Sequence, residues 1–340
     1  MTTYAKNQPT GFRNAIERIA IVGAGGTIGK HITTSLFASG RFKIIALSRA
    51  DSTTTLLAGV EVATVDYADE TTLITALKAH AVQMLIITLS PTAPRQTHSI
   101  LVKAAAAAGV QYIIPNSYGP DIADENFGRD TLLGPVARSK RDEIERLGMK
   151  WISIVCGFWY EYSLAGGSAR FGFDFEERRV TFYDQGDVRI SMSTLDLVGE
   201  GVARLLSLPV LPQDHDDQEV TLASFFNKPL YIQSFCLSQK EIFESVKRVT
   251  KTTDSDWEIA YEDSKSRYAD GLAAVKGGNM AGFSKLLYAR AFWAGESANL
   301  SGKVQNTLLG LDVEEDFDEA TRLGVEMVEE LGMRKERMAH

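Results

Sequence analysis

Glycines at positions 23, 25, 26 and 29 stand between an apolar run, Ile19 to Val22, and a stretch in which Ile32, Leu36 and Phe37 recur at helical spacing. An apolar strand, a glycine-rich turn and a helix form the unit that holds a dinucleotide pyrophosphate. Gly23 suits the tight turn, and Gly26 lets backbone approach the phosphates. Gly29 lets the helix pack against its strand, and Gly25 adds an alternative G-x-G spacing. The free N–H groups and positive dipole end of that helix then face the anion.

The next strand, Lys43 to Leu47, ends at Ser48 and Arg49. An NAD site places an acid near this position to hold the ribose 2′-hydroxyl. Here an arginine can grip a 2′-phosphate with its fork of donors, which favours NADP(H); Asp51 is the feature that speaks against it. Ligands in such sheets lie beyond the carboxyl ends of the strands. That selects loops beginning at Ser90, at Asn116-Ser117-Tyr118-Gly119, at Arg129 to Pro135, and at Gly157-Phe158-Trp159-Tyr160. Phe158, Trp159, Tyr160 and Tyr162 can wall a pocket for a planar substrate or pack into a core. Tyr118 and Tyr160 each offer a hydroxyl to a substrate oxygen as donor or acid. Lys140 falls four residues after Val136 and four before Ile144, in a stripe closed by Leu147, whereas Arg138, Arg141, Asp142 and Glu145 look solvated. A desolvated lysine can move protons near neutral pH; the alternative is a stem that covers apolar surface with its ammonium in water. The only Tyr-x-x-x-Lys, Tyr261 to Lys265, lies far after the sixth strand and is read as accidental.

These residues need a frame, and the pattern supplies one. Strand signals at Val60–Val65, Met84–Leu89, Tyr112–Ile114 and Trp151–Cys156 alternate with helices capped by Asp69 and closed by Gly109, and with one opened by Pro135 and ended at Gly148. Ser90-Pro91 breaks the fourth strand. The alternation predicts right-handed crossovers and a parallel sheet, an α/β Rossmann doubly wound fold with a smaller mixed α/β substrate domain. Residues 1–156 form the nucleotide-binding part, with segments 188–206 and 229–235 returning to it; 157–187 and 236–340 form the substrate-binding part. Val180–Tyr183 and Val188–Met192 are expected to pair around Asp184-Gln185-Gly186, and Leu230–Phe235 to be one strand. Ser238 to Glu241 is a capping box.

The chain has 340 residues, 44% of them hydrophobic, enough for a packed core. A formal charge of -8 without a basic block argues against direct nucleic-acid binding. No apolar run approaches a bilayer span, and the first residues lack a secretory core, so no membrane association and a cytoplasmic location are expected. Cys156 and Cys236 are read as reduced, and five histidines show no ligand spacing, so no metal site is expected.

The combination of GAGGTIG, Ser48-Arg49, IIPNSYGPD (113–121) and GFWYEYSLAGG (157–167) resembles the NmrA-like, isoflavone-reductase-like branch of the atypical short-chain dehydrogenases, the last motif being similar to fungal CipA-type members. The resemblance covers most of the chain and best matches 1–200. It implies an NADPH-binding Rossmann domain, a small C-terminal substrate domain and a catalytic lysine after the fifth strand, matched by Lys140, although the spacing to the next strand is shorter than in the plant reductases. The cofactor is expected against Gly23, Gly25, Gly26, Thr27, Ile28, Gly29, Ser48, Arg49, Leu89, Ser90, Asn116, Ser117, Lys140 and Gly157. Two activities fit: NADPH-dependent reduction of an aromatic or phenylpropanoid-like small molecule, or NADP(H) sensing by a regulator that binds a protein partner. Monomer and homodimer both remain open.

Overall fold

In the computed structural model, which describes residues 3–339 except 91, 297 and 312–313, and omits the side chains of 330–339, the chain runs through fourteen strands and eleven α-helices. In order these are β1 (Arg18–Val22), α1 (Thr27–Ala38), β2 (Lys43–Ser48), β3 (Glu61–Thr64), α2 (Glu70–Ala79), β4 (Met84–Ile87), α3 (Thr97–Ala108), β5 (Tyr112–Ile114), β6 (Tyr118–Gly119), α4 (Glu125–Asp130), α5 (Gly134–Arg146) and β7 (Lys150–Val155). There follow β8 (Phe158–Trp159), α6 (Tyr160–Leu164), β9 (Phe173–Asp174), β10 (Arg179–Tyr183), β11 (Ile190–Ser193), α7 (Leu195–Leu206), β12 (Lys228–Tyr231), β13 (Phe235–Leu237), α8 (Gln239–Thr250), β14 (Glu258–Glu262), α9 (Ser264–Lys276), α10 (Gly282–Ala291) and α11 (Phe317–Ala339). Pro91, expected to break the fourth strand, lies outside the described residues.

The main sheet has the order β12-β7-β5-β4-β1-β2-β3, and β6 adds to β7. Its pairings are parallel throughout. The apolar runs of β1 and β4 are buried on both faces, as a sheet covered on each side requires. Ile19 and Ile21 pack under α1 and α7, with Ile32, Leu36, Val198 and Val202. Ala20 and Val22 face α2, α3 and α5, with Leu73, Leu101 and Ile144. The caps fall where the sequence puts them. Asp69 accepts from the Thr71 amide, Gly109 adopts a left-handed φ of 84°, and Ser238 and Glu241 form the reciprocal box.

A second core, rich in aromatic rings, joins Phe158, Tyr160, Phe171, Phe173, Phe182, Tyr183 and Phe243 with Trp257, Tyr288 and Phe292. Two strand expectations fail here. β10 and β11 do not form a hairpin: β10 pairs with β14 and β9, and β11 with β8 and β13. The Asp184 carboxylate accepts from both the amide (2.8 Å) and the hydroxyl (2.7 Å) of Ser264, which draws the turn to the start of α9 instead of closing a hairpin. Leu230–Phe235 is not one strand either. The Asn306 side chain takes both backbone groups of Gln233, at 3.1 and 2.8 Å, so the chain leaves the main sheet at β12 and enters the small sheet at β13. β11 sits in that small sheet too, while α7, just after it, packs on α1. Tyr261 lies on β14 and Lys265 on α9, with its ammonium 3.0 Å over the Trp293 ring, so their spacing does not place them on one helix face.

Candidate active site

A cleft of about 570 Å³ opens over the carboxyl ends of β1, β2 and β4. Gly23, Gly25 and Gly26 form one wall, Ser48 and Arg49 another, and Leu89 and Ser90 a third. The wall is glycine for steric reasons. Gly23 turns with φ 79°, and a Cβ there would lie 2.3 Å from the Thr88 carbonyl oxygen. A Cβ on Gly29 would lie 2.1 Å from the Gly23 carbonyl oxygen, which is the close helix–strand approach. The Thr88 hydroxyl donates to the Val22 and Gly23 carbonyls (2.7 and 3.0 Å) and pins the turn to β4. Gly26 caps α1, and the amides of Thr27, Ile28 and Gly29 in its first turn have no intrahelical acceptor. They are the donors an anion takes at a helix N-terminus.

Arg49 reaches along the cleft from the end of β2. Its Nε donates to Asp51 Oδ1 at 3.0 Å, and its side chain stays largely exposed. Asp51 therefore occupies one edge of the guanidinium, and the two Nη groups carry no partner among the described residues. Asp66 and Tyr67, at the end of β3, floor the same cleft, and the Tyr67 hydroxyl donates to the Leu47 carbonyl (2.7 Å). Sequence reasoning missed these two, although the strand-end rule that selects Ser48 and Arg49 selects them equally. Thr54 was missed as well: a Cβ on Gly25 would lie 2.0 Å from its methyl group, so the segment after β2 folds over the glycine turn.

Asn116, Ser117, Gly157 and Lys140 lie outside the cleft walls. The Asn116 side-chain amide donates to the Leu89 carbonyl (3.0 Å) and ties the loops after β4 and β5 together. Gly157, at φ 65°, is glycine because a Cβ would meet the Ser191 carbonyl oxygen at 2.1 Å, a contact within the protein and not one with a cofactor.

The apolar stripe expected on α5 is not there. Val136 is 55% and Leu147 40% exposed, and only Ile144 is buried. Arg141 is not solvated: its guanidinium lies 4.6 Å from the Trp151 ring centre and donates to Ser153 at 3.3 Å. Lys140 is half-buried nonetheless. Burial holds its ammonium below the usual lysine range, and among the described residues it makes neither a hydrogen bond nor an ion pair. Its charge is felt at His98, in the first turn of α3, whose neighbours Gln96 and Thr97 do line the cleft.

The aromatic loop divides by alternation. Phe158 and Tyr160 point into the second core and do not line an open pocket. Tyr160 is fully buried, its hydroxyl 2.7 Å from Thr321 Oγ1, and three phenyl rings surround it. That position rules out its expected role as an acid or donor toward substrate. Trp159 and Tyr162 remain half-buried with ring centres 5.5 Å apart, and the Arg170 guanidinium lies 3.8 Å over the Tyr162 ring. The Tyr118 hydroxyl is enclosed and has no partner among the described residues, and burial raises its pKa well above that of an ordinary phenol. It can donate a hydrogen bond but is a poor proton source as it stands.

Residues 16–162 match the model of the NmrA-like family. The chain is 27% identical over 277 residues to oxidoreductase aprR of Aspergillus flavus, covering 79% of this chain and 85% of the relative. Among solved structures, leucoanthocyanidin reductase with NADPH from Vitis vinifera superposes with a TM-score of 0.69 at 18% identity, over 92% of this chain and 99% of that one. The pinoresinol-lariciresinol and phenylcoumaran benzylic ether reductases give 0.65 at 21% identity, over 82% and 88%. At these identities the chain shares the fold of those reductases. Among its described residues, no helix is long and apolar enough to cross a membrane.

Proposed function

We propose that this protein is an NADPH-dependent oxidoreductase that reduces an aromatic, phenylpropanoid-like small molecule. The observation that carries the reading is Arg49, with both Nη groups free, in one cleft with the glycine turn. A 2′-phosphate at the end of β2 fits that arginine, and a pyrophosphate fits the first turn of α1. NADPH held there supplies a hydride. Lys140 donates the matching proton from Nζ to the substrate oxygen and regains it from water. The Tyr118 hydroxyl donates a hydrogen bond to the same oxygen, and Trp159 and Tyr162 flank an aromatic ring. The oxidoreductase name of the Aspergillus relative and the phenolic substrates in the names of the plant reductases support this reading.

The test is NADPH oxidation against a panel of aromatic enones, ketones and benzylic ethers, run in parallel with NADH. Turnover of at least one class with NADPH preferred is the expected result. Tight NADPH binding with no turnover across the panel would replace the enzyme reading with NADP(H) sensing.

A further inference from the structure

His98 is the second residue of α3 and is 3% exposed. Both of its ring nitrogens are enclosed, and neither has a hydrogen-bond partner among the described residues. An imidazole in its neutral form carries one donor and one acceptor, and a buried site normally satisfies both. Here both are idle, immediately beyond Gln96 and Thr97 on the cleft wall.

The helix packed against this turn is α5. The Ser99 hydroxyl donates to the Glu143 carboxylate across the seam. Arg141 is turned away to Ser153 and the Trp151 ring. Ile144 closes the seam with apolar surface. Lys140, on the same helix, is half-buried with three N–H donors and, among the described residues, no acceptor, and its charge is felt at the His98 ring. Burial first, and that charge second, hold the imidazole down to about 4, so at neutral pH it keeps a free lone pair. The Ser99–Glu143 bond sets the first turn of α3 against α5 one turn from Lys140, so an idle acceptor and an idle cation share one seam beside the cleft.

We propose that His98 is the positioning residue for Lys140, its ring accepting a hydrogen bond from the ammonium and aiming it at the substrate oxygen. This rests on the reading of Lys140 as the group that handles the proton.

The experiment compares the unmutated protein with His98→Leu and His98→Gln. Lysines are dimethylated with ¹³C-formaldehyde, the Lys140 signal is assigned with Lys140→Arg, and its titration is followed by NMR. NADPH affinity and turnover are measured on the unmodified proteins. A neutral acceptor stabilises the charged amine, so in His98→Leu Lys140 titrates about one pH unit lower. In the same variant kcat falls about tenfold or more, the loss expected for one hydrogen bond to a charged group. KM and NADPH affinity hold. The amide oxygen of His98→Gln restores most of both effects. An unchanged Lys140 titration in His98→Leu overturns the pairing, whatever turnover does. A shifted titration with unchanged turnover upholds the pairing and overturns the catalytic reading of Lys140 instead.

Discussion

Arg49 Nε and Asp51 Oδ1 are 3.0 Å apart at the end of β2. The carboxylate that looked, in sequence, like a competitor for the cofactor's ribose is the partner that steadies the arginine. It takes the Nε edge and leaves the Nη edge for a phosphate. Arg49→Asp should therefore weaken NADPH by about 2 kcal/mol, the scale of a hydrogen bond to a charged group, and leave NADH nearly untouched. Fluorescence titration of both nucleotides checks this. Equal losses, or equal affinities in the unmutated protein, would count against a 2′-phosphate site.

Tyr118→Phe and Tyr160→Phe should part company. Tyr160 loses its bond to Thr321 inside the second core, so its variant unfolds about 1 kcal/mol more easily and turns over normally. Tyr118 has no partner among the described residues to lose, so its variant keeps its stability. Its turnover falls, because the hydrogen bond to the substrate oxygen is lost; unchanged turnover would remove that role. Denaturant unfolding and steady-state rates on both variants settle the two roles.

Lys140→Ala should abolish most turnover and keep NADPH binding, since Lys140 stands off the cleft wall. Lys140→Arg should not rescue it, because a guanidinium does not release its proton near neutral pH. Unchanged turnover in Lys140→Ala would reduce the lysine to a buried stem.

Glu161 gives the fold a pH signature. It is buried on α6 and accepts from the Leu195 amide at 3.1 Å, and burial pushes its carboxyl up to about 7. The folded chain then holds a proton that the unfolded chain has already released, so stability falls as pH rises from about 4.5, the ordinary glutamate value, to about 7. Glu161→Gln should flatten that part of the melting-temperature profile and raise stability at pH 8 relative to the unmutated protein. A Tm profile of the same slope in both would assign the dependence to other groups.

The nucleotide half was legible because its signals are local. Gly23 and Gly29 are dictated by contacts within a dozen residues or by a single adjoining strand, and the parallel sheet follows from the alternation of β1 through β7. The second half was not, because distant side chains decide its strand partners. Asp184 answers to Ser264, and Gln233 answers to Asn306. The α5 stripe misled for a related reason. The helix buries only Ile144 on the sheet, and the side that meets α3 carries the polar Glu143. Neither helix shows that seam on its own, and His98 carried no signal until the two were set side by side.

The strand β12, at one edge of the main sheet, has a consequence for how the chain matures. Its partner β7 ends at Val155, but β12 begins only at Lys228, after the aromatic segment, β10, β11 and α7 have been made. A nascent chain released as far as β7 holds a sheet with one open edge and a bare apolar face where α7 belongs, the kind of surface that chaperones cover. The nucleotide-binding half is thus complete only after synthesis has passed well into the other half.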